Sequence, residues 1–214
     1  MNLYAVTGSE LLATGVSLQE SVQAALKGGA DVIQLREKHL NGNKLVAIGK
    51  EIKKLCQEYG AQLAINDRVD VAILCDADMI HLGQDDIQIE DAQKLLGSTM
   101  HIGISTHDAA ESKLAQSRGA SYVGLGPVFA TATKPDAKAV ISRAEILKVR
   151  QEVHIPIVAI GGITLSSVDD LIDQGIDALA IVSGIFAAQD IEQATRAFRL
   201  AIDRAKERKQ TLTR

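Results

Sequence analysis

Residues 157–184, IVAIGGITLSSVDDLIDQGIDALAIVSG, decide the fold that the sequence predicts. The runs IVAI and ALAIV flank a segment of helical character, and Gly175 stands where that helix should end. Both runs are apolar throughout instead of alternating with polar residues, which is typical of strands in a parallel sheet covered on both faces. Because glycine often follows the last turn of a helix in the left-handed conformation, the stretch predicts a strand–helix–strand unit.

The same unit recurs along the whole chain. The strand-like runs are NLYAVTG (2–8), DVIQLRE (31–37), QLAIND (62–67), MIHLGQ (79–84), HIGIST (101–106), YVGLGPV (122–128), IVAIGGI (157–163) and ALAIVSG (178–184). Helical segments separate them, although RVDVAILCDA (68–77) predicts only a short helix. Eight units in 214 residues, without a Pro- or Gly-rich hinge, predict a single α/β domain over residues 1–214. The predicted fold is a (β/α)8 TIM barrel with a C-terminal tail frayed from about residue 205.

An open, doubly wound parallel sheet is the alternative fold. Its first strand is usually followed by a GxGxxG turn that binds a dinucleotide. The corresponding stretch here is TGSELLATG (7–15), which does not match that pattern. We therefore favour the closed barrel.

Composition and charge exclude several classes of function. A net charge of −4 and only 3% aromatic residues argue against a nucleic-acid-binding surface. No apolar stretch approaches the roughly 20 residues that cross a bilayer, and no signal-peptide pattern is evident, so we expect no membrane association. Cys56 and Cys75 lack metal-ligand spacing, which favours reduced thiols and a cytoplasmic protein. The oligomeric state stays open, and a homodimer is compatible with the sequence.

Polar residues follow most of the predicted strands, and the active site of a TIM barrel lies at those strand ends. They are Gln34, Arg36, Lys38, Asn66, Asp67, His81, Gln84, Asp85, Asp86, Ser105, Thr106, His107, Thr131, Thr133, Lys134 and Ser183. Several of them also precede predicted helices, so simple N-capping is an alternative for each taken alone. The presence of arginine and lysine among them favours a ligand site.

The last two strand ends predict a phosphate site. Gly161–Gly162 and Ser183–Gly184 place small residues just before helix starts, where backbone N–H groups and the helix dipole favour an anion. Loops after strands seven and eight often bind phosphate in this fold. Tight-turn chemistry is the alternative, because glycine tolerates positive φ.

A second anion site and a metal site are predicted together. Arg36, Lys38 and Lys134 offer donors for phosphate oxygens. Asp67 with Asp86, or with Asp85, offers the carboxylates that Mg²⁺ uses alongside substrate phosphates. A Mg²⁺–diphosphate bound between the basic and the acidic cluster would explain why both are present. The alternative is a salt-bridge network across the strand ends.

The ordered motifs QLREK (34–38), ND (66–67), HLGQDD (81–86), GIS (103–105), GPVFATATKPDA (126–137), AIGGI (159–163) and VSGI (182–185) resemble thiamine-phosphate synthases. Those enzymes are TIM barrels that join the pyrimidine and thiazole halves of thiamine. The resemblance runs from Leu3 to about Ala201. QLREK and the threonine–lysine loop are its most specific parts, whereas AIGGI occurs in many phosphate-binding barrels.

The resemblance implies a role for each matching residue. The set implied to contact the pyrimidine diphosphate is Gln34, Leu35, Arg36, Glu37, Lys38, Asn66, Ser105 and Lys134. The set implied to bind the thiazole phosphate is Thr131, Thr133, Gly162, Val182 and Ser183. Asp67 and Asp86 would hold Mg²⁺, and the catalytic residues would be Arg36, Lys38, Ser105 and Lys134. Strand periodicity adds that Gln34, Arg36 and Lys38 share one side of their strand, with Glu37 on the other.

The chemistry that the resemblance implies is dissociative. The bond to diphosphate breaks, a pyrimidinylmethyl cation remains, and the thiazole nitrogen captures it. The basic cluster and Mg²⁺ would stabilise the charge on the departing diphosphate. No general base is required, because the thiazole nitrogen loses no proton at that step.

One departure from the family and two further features accompany the resemblance. Pro135 follows Lys134, where synthases often have another lysine. The loop 129–139 is long and rich in small residues, which makes it a candidate lid. His107 could serve acid–base chemistry, although a solvent-facing position at a helix start is the simpler expectation.

The related thiazole tautomerase is the nearest rival function. Tautomerases place histidine in a GHVF motif, where this sequence has Pro127, and they tend to lose the lysine of REK and the metal aspartates, which are present here.

A Schiff-base aldolase needs a lysine within strand six or seven, and neither has one. A sugar-phosphate epimerase does not explain REK, and a ligand-sensing regulator does not explain the metal pair. We therefore favour the synthase.

Overall fold

Eight parallel strands close into a barrel in the computed structural model, which describes residues 2–97, 100–131, 133 and 138–212. Each strand pairs with the next along the chain, and the last pairs with the first. The strands are β1 (Leu3–Val6), β2 (Val32–Leu35), β3 (Gln62–Asn66), β4 (Met79–Leu82), β5 (His101–Thr106), β6 (Tyr122–Leu125), β7 (Ile157–Ile160) and β8 (Ala178–Ile181). The (β/α)8 TIM barrel is thus confirmed.

Helices surround the barrel in the predicted order. They are α1 (Leu18–Lys27), α2 (Gly42–Glu58), α3 (Val69–Leu74), α4 (Ile89–Leu96), α5 (Ala109–Ser117), α6 (Arg143–Glu152), α7 (Val168–Asp173), α8 (Ser183–Phe186) and α9 (Ile191–Leu212). The short helix after β3 agrees with its prediction, whereas the single-turn α8 was not predicted. The last helix continues to Leu212 with Ala205 fully buried, so residues 205–212, expected to fray, are helical.

Local sequence explains where the helices begin and end. Ser17 and Glu20 form a reciprocal capping box at the start of α1, and Asn41 and Asp108 accept hydrogen bonds from backbone N–H groups of α2 and α5. Gly175, which follows α7, adopts φ +94°, as the sequence predicted. Among the described residues, no helix combines the length and apolar character that crossing a bilayer requires.

The core forms two layers because strand residues alternate between two faces. In β2, Ile33 and Leu35 belong to the large layer between the barrel and the helices, whereas Val32 belongs to a smaller cluster with Tyr4 and Tyr122. The smaller cluster fills the barrel interior. The inside of the barrel is therefore packed with side chains, and a cavity opens above them at the C-terminal strand ends.

A repeated hydrogen bond fastens the N-terminal end of the barrel. The residue just before each even-numbered strand accepts a backbone N–H from the start of the preceding strand, at Asp31 (from Leu3, 2.9 Å), Asp78 (from Leu63, 2.8 Å), Ser121 (from Ile102, 3.1 Å) and Asp177 (from Ile157, 2.8 Å). We call these the strand-entry hydrogen bonds. They satisfy N–H groups at the start of the sheet, where an unpaired donor would be costly.

The three aspartates of this set also bind cations from the helix layer. Arg199 contacts Asp31 at 2.8 Å, Lys53 contacts Asp78 at 2.6 Å and Arg150 contacts Asp177 at 2.8 Å. For Asp31, burial alone would raise the carboxyl pKa, but the N–H groups of Leu3 and Asn2, together with Arg199, outweigh it and lower the pKa. Each aspartate thus links barrel and helices with its charge compensated.

We predict that Asp78→Ala lowers the free energy of unfolding by about 2–3 kcal/mol, because it orphans the Leu63 N–H and leaves Lys53, whose side chain is only 12% exposed, without its partner. Urea unfolding measures the change. Asp91→Ala is the control, because Asp91 pairs with Lys94 on the open surface and should cost less than about 0.5 kcal/mol. Equal costs for the two variants would contradict a special role for the strand-entry hydrogen bonds.

Candidate active site

A cavity of about 410 Å³ opens at the C-terminal ends of the strands. Twelve residues that the sequence implied as site residues line it, and they are Gln34, Arg36, Lys38, Asn66, Asp67, Asp86, Ser105, Thr131, Thr133, Gly162, Val182 and Ser183. They come from strands or loops far apart in the chain. Closure of the barrel is what brings them to one place.

Two described residues of the implied set, Leu35 and Glu37, do not belong to this lining. Lys134 lies outside the described residues. Leu35 is 1% exposed and packs in the layer between barrel and helices. Glu37 is also turned away from the cavity, as the alternation along the strand requires. The side chains of Leu35 and Glu37 are therefore not in position to touch a ligand in the cavity, unlike those of Gln34, Arg36 and Lys38.

Glu37 instead braces the end of β2. Its buried carboxylate accepts hydrogen bonds from Thr7 Oγ1 at 2.7 Å and from Ser9 Oγ at 2.5 Å. Thr7 Oγ1 in turn accepts the backbone N–H of Arg36 at 2.9 Å. The brace therefore fixes the backbone that carries Arg36 against the loop after β1.

The carboxylates of Asp67 and Asp86 lie in hydrogen-bond contact, and Asp67 follows β3, the strand that pairs with β2. Asp67 adopts φ +62°, and its N–H donates to His81 O at 2.9 Å. The Gly83 N–H donates to Asp86 Oδ2 at 2.7 Å. Burial, then the charge and hydrogen bond of Asp86, raise the pKa of Asp67 to about 6, although Lys38 and Arg36 act in the other direction.

Two half-buried carboxylates that repel one another could hold a divalent cation. A cation between them would replace the repulsion with attraction, and oxygen ligands of this kind suit Mg²⁺. A salt-bridge network was the alternative. In the parts of the chain that the structure describes, the ion pairs within 4.0 Å include neither Arg36 nor Lys38. The donor set therefore fits a metal better than an internal ion-pair network.

The glycine loop after β7 is tightly built. Gly162 has φ +62°, and a Cβ atom there would lie 2.3 Å from Ala130 O. The turn therefore needs glycine for backbone reasons, as the alternative interpretation held. The same close approach brings Gly162 beside the loop that carries Thr131 and Thr133, with Val182 and Ser183 following the neighbouring strand. The loop thus satisfies turn chemistry and contributes to a polar wall.

Tyr4 and Tyr122 are cavity residues that the sequence did not indicate, because tyrosine within an apolar strand resembles ordinary core. They belong to a hydrogen-bond chain with Gln34, His81 and Ser105. Gln34 Nε2 donates to Tyr4 Oη at 2.9 Å, and Tyr4 Oη lies 2.9 Å from Tyr122 Oη. Tyr122 Oη lies 3.0 Å from His81 Nδ1, and His81 Nε2 lies 2.9 Å from Ser105 Oγ. We call these five residues the buried relay.

His107 does not face open solvent, in contrast to the simpler expectation. It lines the cavity, and its Nδ1 lies 2.8 Å from Glu111 Oε2. Lys138, a cavity residue that the sequence did not indicate, contacts Glu111 Oε1 at 3.1 Å. Glu111 therefore joins the end of β5 to the loop that follows β6.

The fold and the site together define a class. A closed parallel barrel that gathers cationic side chains, paired carboxylates and glycine turns at its C-terminal end is typical of TIM-barrel enzymes that act on phosphorylated small molecules.

Comparison with known proteins narrows the class to one family. A family model described as thiamine monophosphate synthase matches residues 3–185. Thiamine-phosphate synthase from Chloroflexus aurantiacus is 42% identical over 206 residues, covering 96% of this chain and 94% of that protein. The enzyme of the same name from Methanospirillum hungatei is 41% identical over 196 residues, covering 92% and 95%.

A solved structure agrees with these matches. Thiamine phosphate pyrophosphorylase from Pyrococcus furiosus superposes with a TM-score of 0.88 at 36% identity, covering 95% of this chain and 96% of that chain. The chain belongs to the thiamine monophosphate synthase family, which confirms the resemblance seen in the sequence. It is thereby an enzyme of the transferase class.

We predict that Asp67→Asn stabilises the metal-free protein above pH 6. The folded pKa of about 6 lies above the ordinary 3.8, so ionised Asp67 destabilises the fold above pH 6 and has no such effect below 3.8. Asparagine removes the charge and tolerates positive φ. The expected gain, discounted for partial exposure, is about 1 kcal/mol at pH 7.5.

Denaturant unfolding in the presence of EDTA, at pH 7.5 and again near pH 4, measures this gain. Asp85→Asn is the matched control, because it removes the same charge from an exposed side chain of the loop that carries Asp86. That control should change the unfolding free energy by less than about 0.5 kcal/mol. A gain that persists unchanged near pH 4 would show that repulsion between the carboxylates is not its cause.

Proposed function

We propose that the protein condenses 4-amino-2-methyl-5-hydroxymethylpyrimidine diphosphate with 4-methyl-5-(2-phosphoethyl)thiazole, which gives thiamine phosphate and diphosphate. The proposal depends on one observation: cationic side chains, paired carboxylates and glycine turns all line the same cavity. Two phosphorylated substrates need two anion sites in one space, and the family relationship names the reaction that joins them.

The walls of the cavity suit the two substrates in different ways. Arg36 and Lys38 offer charged donors for a diphosphate, and the adjacent Asp67 and Asp86 are positioned to share its metal. The loops that carry Thr131, Thr133 and Gly162, with Val182 and Ser183 beyond them, offer hydroxyl and backbone donors for the single phosphate of the thiazole. Holding both substrates by their phosphates orients the thiazole nitrogen toward the pyrimidine methylene carbon.

Loss of diphosphate is the demanding step, because negative charge builds on the leaving oxygen. Arg36 and Lys38 stabilise that charge, and Lys134 adds to it if it reaches the same group as the family resemblance implies. When bound, Mg²⁺ supplies further charge neutralisation at the diphosphate. The brace from Glu37 through Thr7 holds the Arg36 backbone in place for this task.

The remaining pyrimidinylmethyl cation must react with the thiazole nitrogen before it reacts with water. Apolar residues of the barrel interior, among them Val6, Val158, Ile160 and Ala180, line the floor of the cavity. Such a floor excludes water from one side of the cation, which suppresses hydrolysis to the alcohol. The thiazole nitrogen has no proton to lose, so no general base is needed.

A tautomerase is not favoured by the site. Pro127 occupies the motif position at which those relatives carry histidine, and Asp67 and Asp86 remain paired. We also infer that the protein acts in the cytoplasm, because Cys56 and Cys75 are free thiols. No nucleic acid or membrane enters the proposed reaction, and a homodimer is compatible with it.

We predict that the purified protein forms thiamine phosphate from the two substrates only with a divalent cation. Oxidation of the product to fluorescent thiochrome gives the readout. Treatment with EDTA should abolish product, and Mg²⁺ should restore it. Intact, folded protein that forms no thiamine phosphate with Mg²⁺ would refute the proposed function.

We further predict that Arg36→Ala lowers kcat by about a hundredfold or more, because it removes a charged donor from the leaving group. Calorimetric titration with diphosphate should show weaker binding as well. Lys44→Ala, on the exposed start of α2, is the control and should change neither quantity. Unaltered kcat in Arg36→Ala would remove Arg36 from the diphosphate site.

A further inference from the structure

The buried relay joins two opposite walls of the cavity. All five residues border the cavity, with Gln34 at one end and Ser105 at the other, but Tyr4 and Tyr122 between them are only 1% and 2% exposed. Of the five, only Gln34 and Ser105 belong to the set implied to contact the pyrimidine diphosphate substrate. The reaction as proposed assigns no role to Tyr4, Tyr122 or His81.

Two strand glycines make room for the relay. A Cβ atom on Gly103 would lie 2.0 Å from Tyr122 Cζ, and a Cβ atom on Gly124 would lie 2.8 Å from His81 Cε1. Neither distance is compatible with a side chain. Glycine weakens a strand interior, and its use in two adjacent strands indicates that the rings of Tyr122 and His81 are fitted to these positions.

Both phenols keep their protons. Burial raises the pKa of Tyr4 to about 12, against hydrogen bonds from Tyr122 and Gln34 that lower it. Burial, and then Tyr4, also raise the pKa of Tyr122 well above its ordinary value. Each phenol is therefore a neutral group with one proton to donate and lone pairs to accept.

The direction of the Gln34 amide determines the order of protons along the relay. Because Gln34 Nε2 donates to Tyr4 Oη, the proton of the fully buried Tyr4 must go to Tyr122. Tyr122 then donates to His81 Nδ1, so a neutral His81 carries its proton on Nε2 and donates it to Ser105 Oγ. The Ser105 hydroxyl proton is left to point into the cavity.

For a neutral His81, one other order satisfies every group of the relay. If the Gln34 amide turned over, Tyr4 would donate to its carbonyl, Tyr122 to Tyr4, His81 Nδ1 to Tyr122, and Ser105 to His81 Nε2. In that order, Gln34 would present an N–H donor to the cavity and Ser105 would present an acceptor. The relay therefore couples its two ends, because neither can change its role without the other.

We infer that Tyr4, Tyr122 and His81 are positioning residues that hold Gln34 as an acceptor and Ser105 as a donor, and so select a 4-aminopyrimidine over a 4-oxopyrimidine. This inference rests on the proposed function. An aminopyrimidine presents an amino donor and ring-nitrogen acceptors, which match the observed order. An oxopyrimidine presents a carbonyl acceptor and a ring N–H donor, which match the reverse order.

The test compares the 4-amino substrate with its 4-oxo diphosphate analogue. For the wild-type protein, the inhibition constant of the analogue should exceed the KM of the amino substrate by at least about a hundredfold. Tyr122→Phe breaks the coupling and should reduce that ratio about tenfold or more. Tyr4→Phe should act in the same direction, and it replaces Tyr122→Phe if that variant does not fold.

Tyr59→Phe is the matched control. Tyr59 is the remaining tyrosine of the chain, and it is 39% exposed at the end of α2. Its variant should keep the wild-type ratio. A Tyr122→Phe protein that is slower but equally selective would overturn the inference, because that is the result of a merely structural role.

A second measurement does not depend on activity. ¹⁵N NMR of histidine-labelled protein distinguishes the two ring tautomers, and loss of one signal in His81→Gln assigns it among the five histidines. The inference expects the proton on Nε2, and a proton on Nδ1 would overturn it. If the wild-type protein forms no thiamine phosphate, the proposed function fails, whereas the tautomer still decides the proton order.

Discussion

Closure of eight parallel strands imposes one constraint on which the rest of the structure depends. Every second side chain of each strand must enter the barrel, and the interior is too narrow for more than a few layers of them. Bulky side chains fill the lower part. Polar residues that follow the same alternation emerge together at the C-terminal end, so closing the sheet and assembling the site are one geometric event. Gln34, Arg36 and Lys38 illustrate it, since each is two residues from the next.

That constraint explains why much of the fold and site could be predicted from the sequence. Apolar runs, glycine caps and the number of units are local features, and they located every strand. Alternation also placed Glu37 away from Arg36 and Lys38. The family motif grouped Leu35 and Glu37 with the ligand-binding residues because a motif is contiguous, whereas the side chains of a strand are not. Periodicity was therefore the better guide at these two positions.

The buried relay could not be predicted because it depends on contacts between distant strands. Tyr4 and Tyr122 lie 118 residues apart, and each stands in a run that resembles ordinary core. The available signal was indirect, since Gly103 and Gly124 interrupt strands that would otherwise favour larger residues. A glycine within a buried strand marks a place where another group approaches. It does not reveal which group, and that identity requires the register of the neighbouring strands.

The two ends of the barrel use aspartate in opposite ways. At the N-terminal end, Asp31, Asp78 and Asp177 each meet a backbone N–H and a cation of the protein itself, so their charges are compensated within the fold. At the C-terminal end, Asp67 meets Asp86, and the pKa of Asp67 rises under burial and that charge. A fold with such compensation at one end can tolerate repulsion at the other. Binding of cations and phosphates therefore stabilises the C-terminal end most, because the ligands supply opposite charges that the protein itself does not provide there. Stability and chemistry are in this way divided between the two ends of the same eight strands.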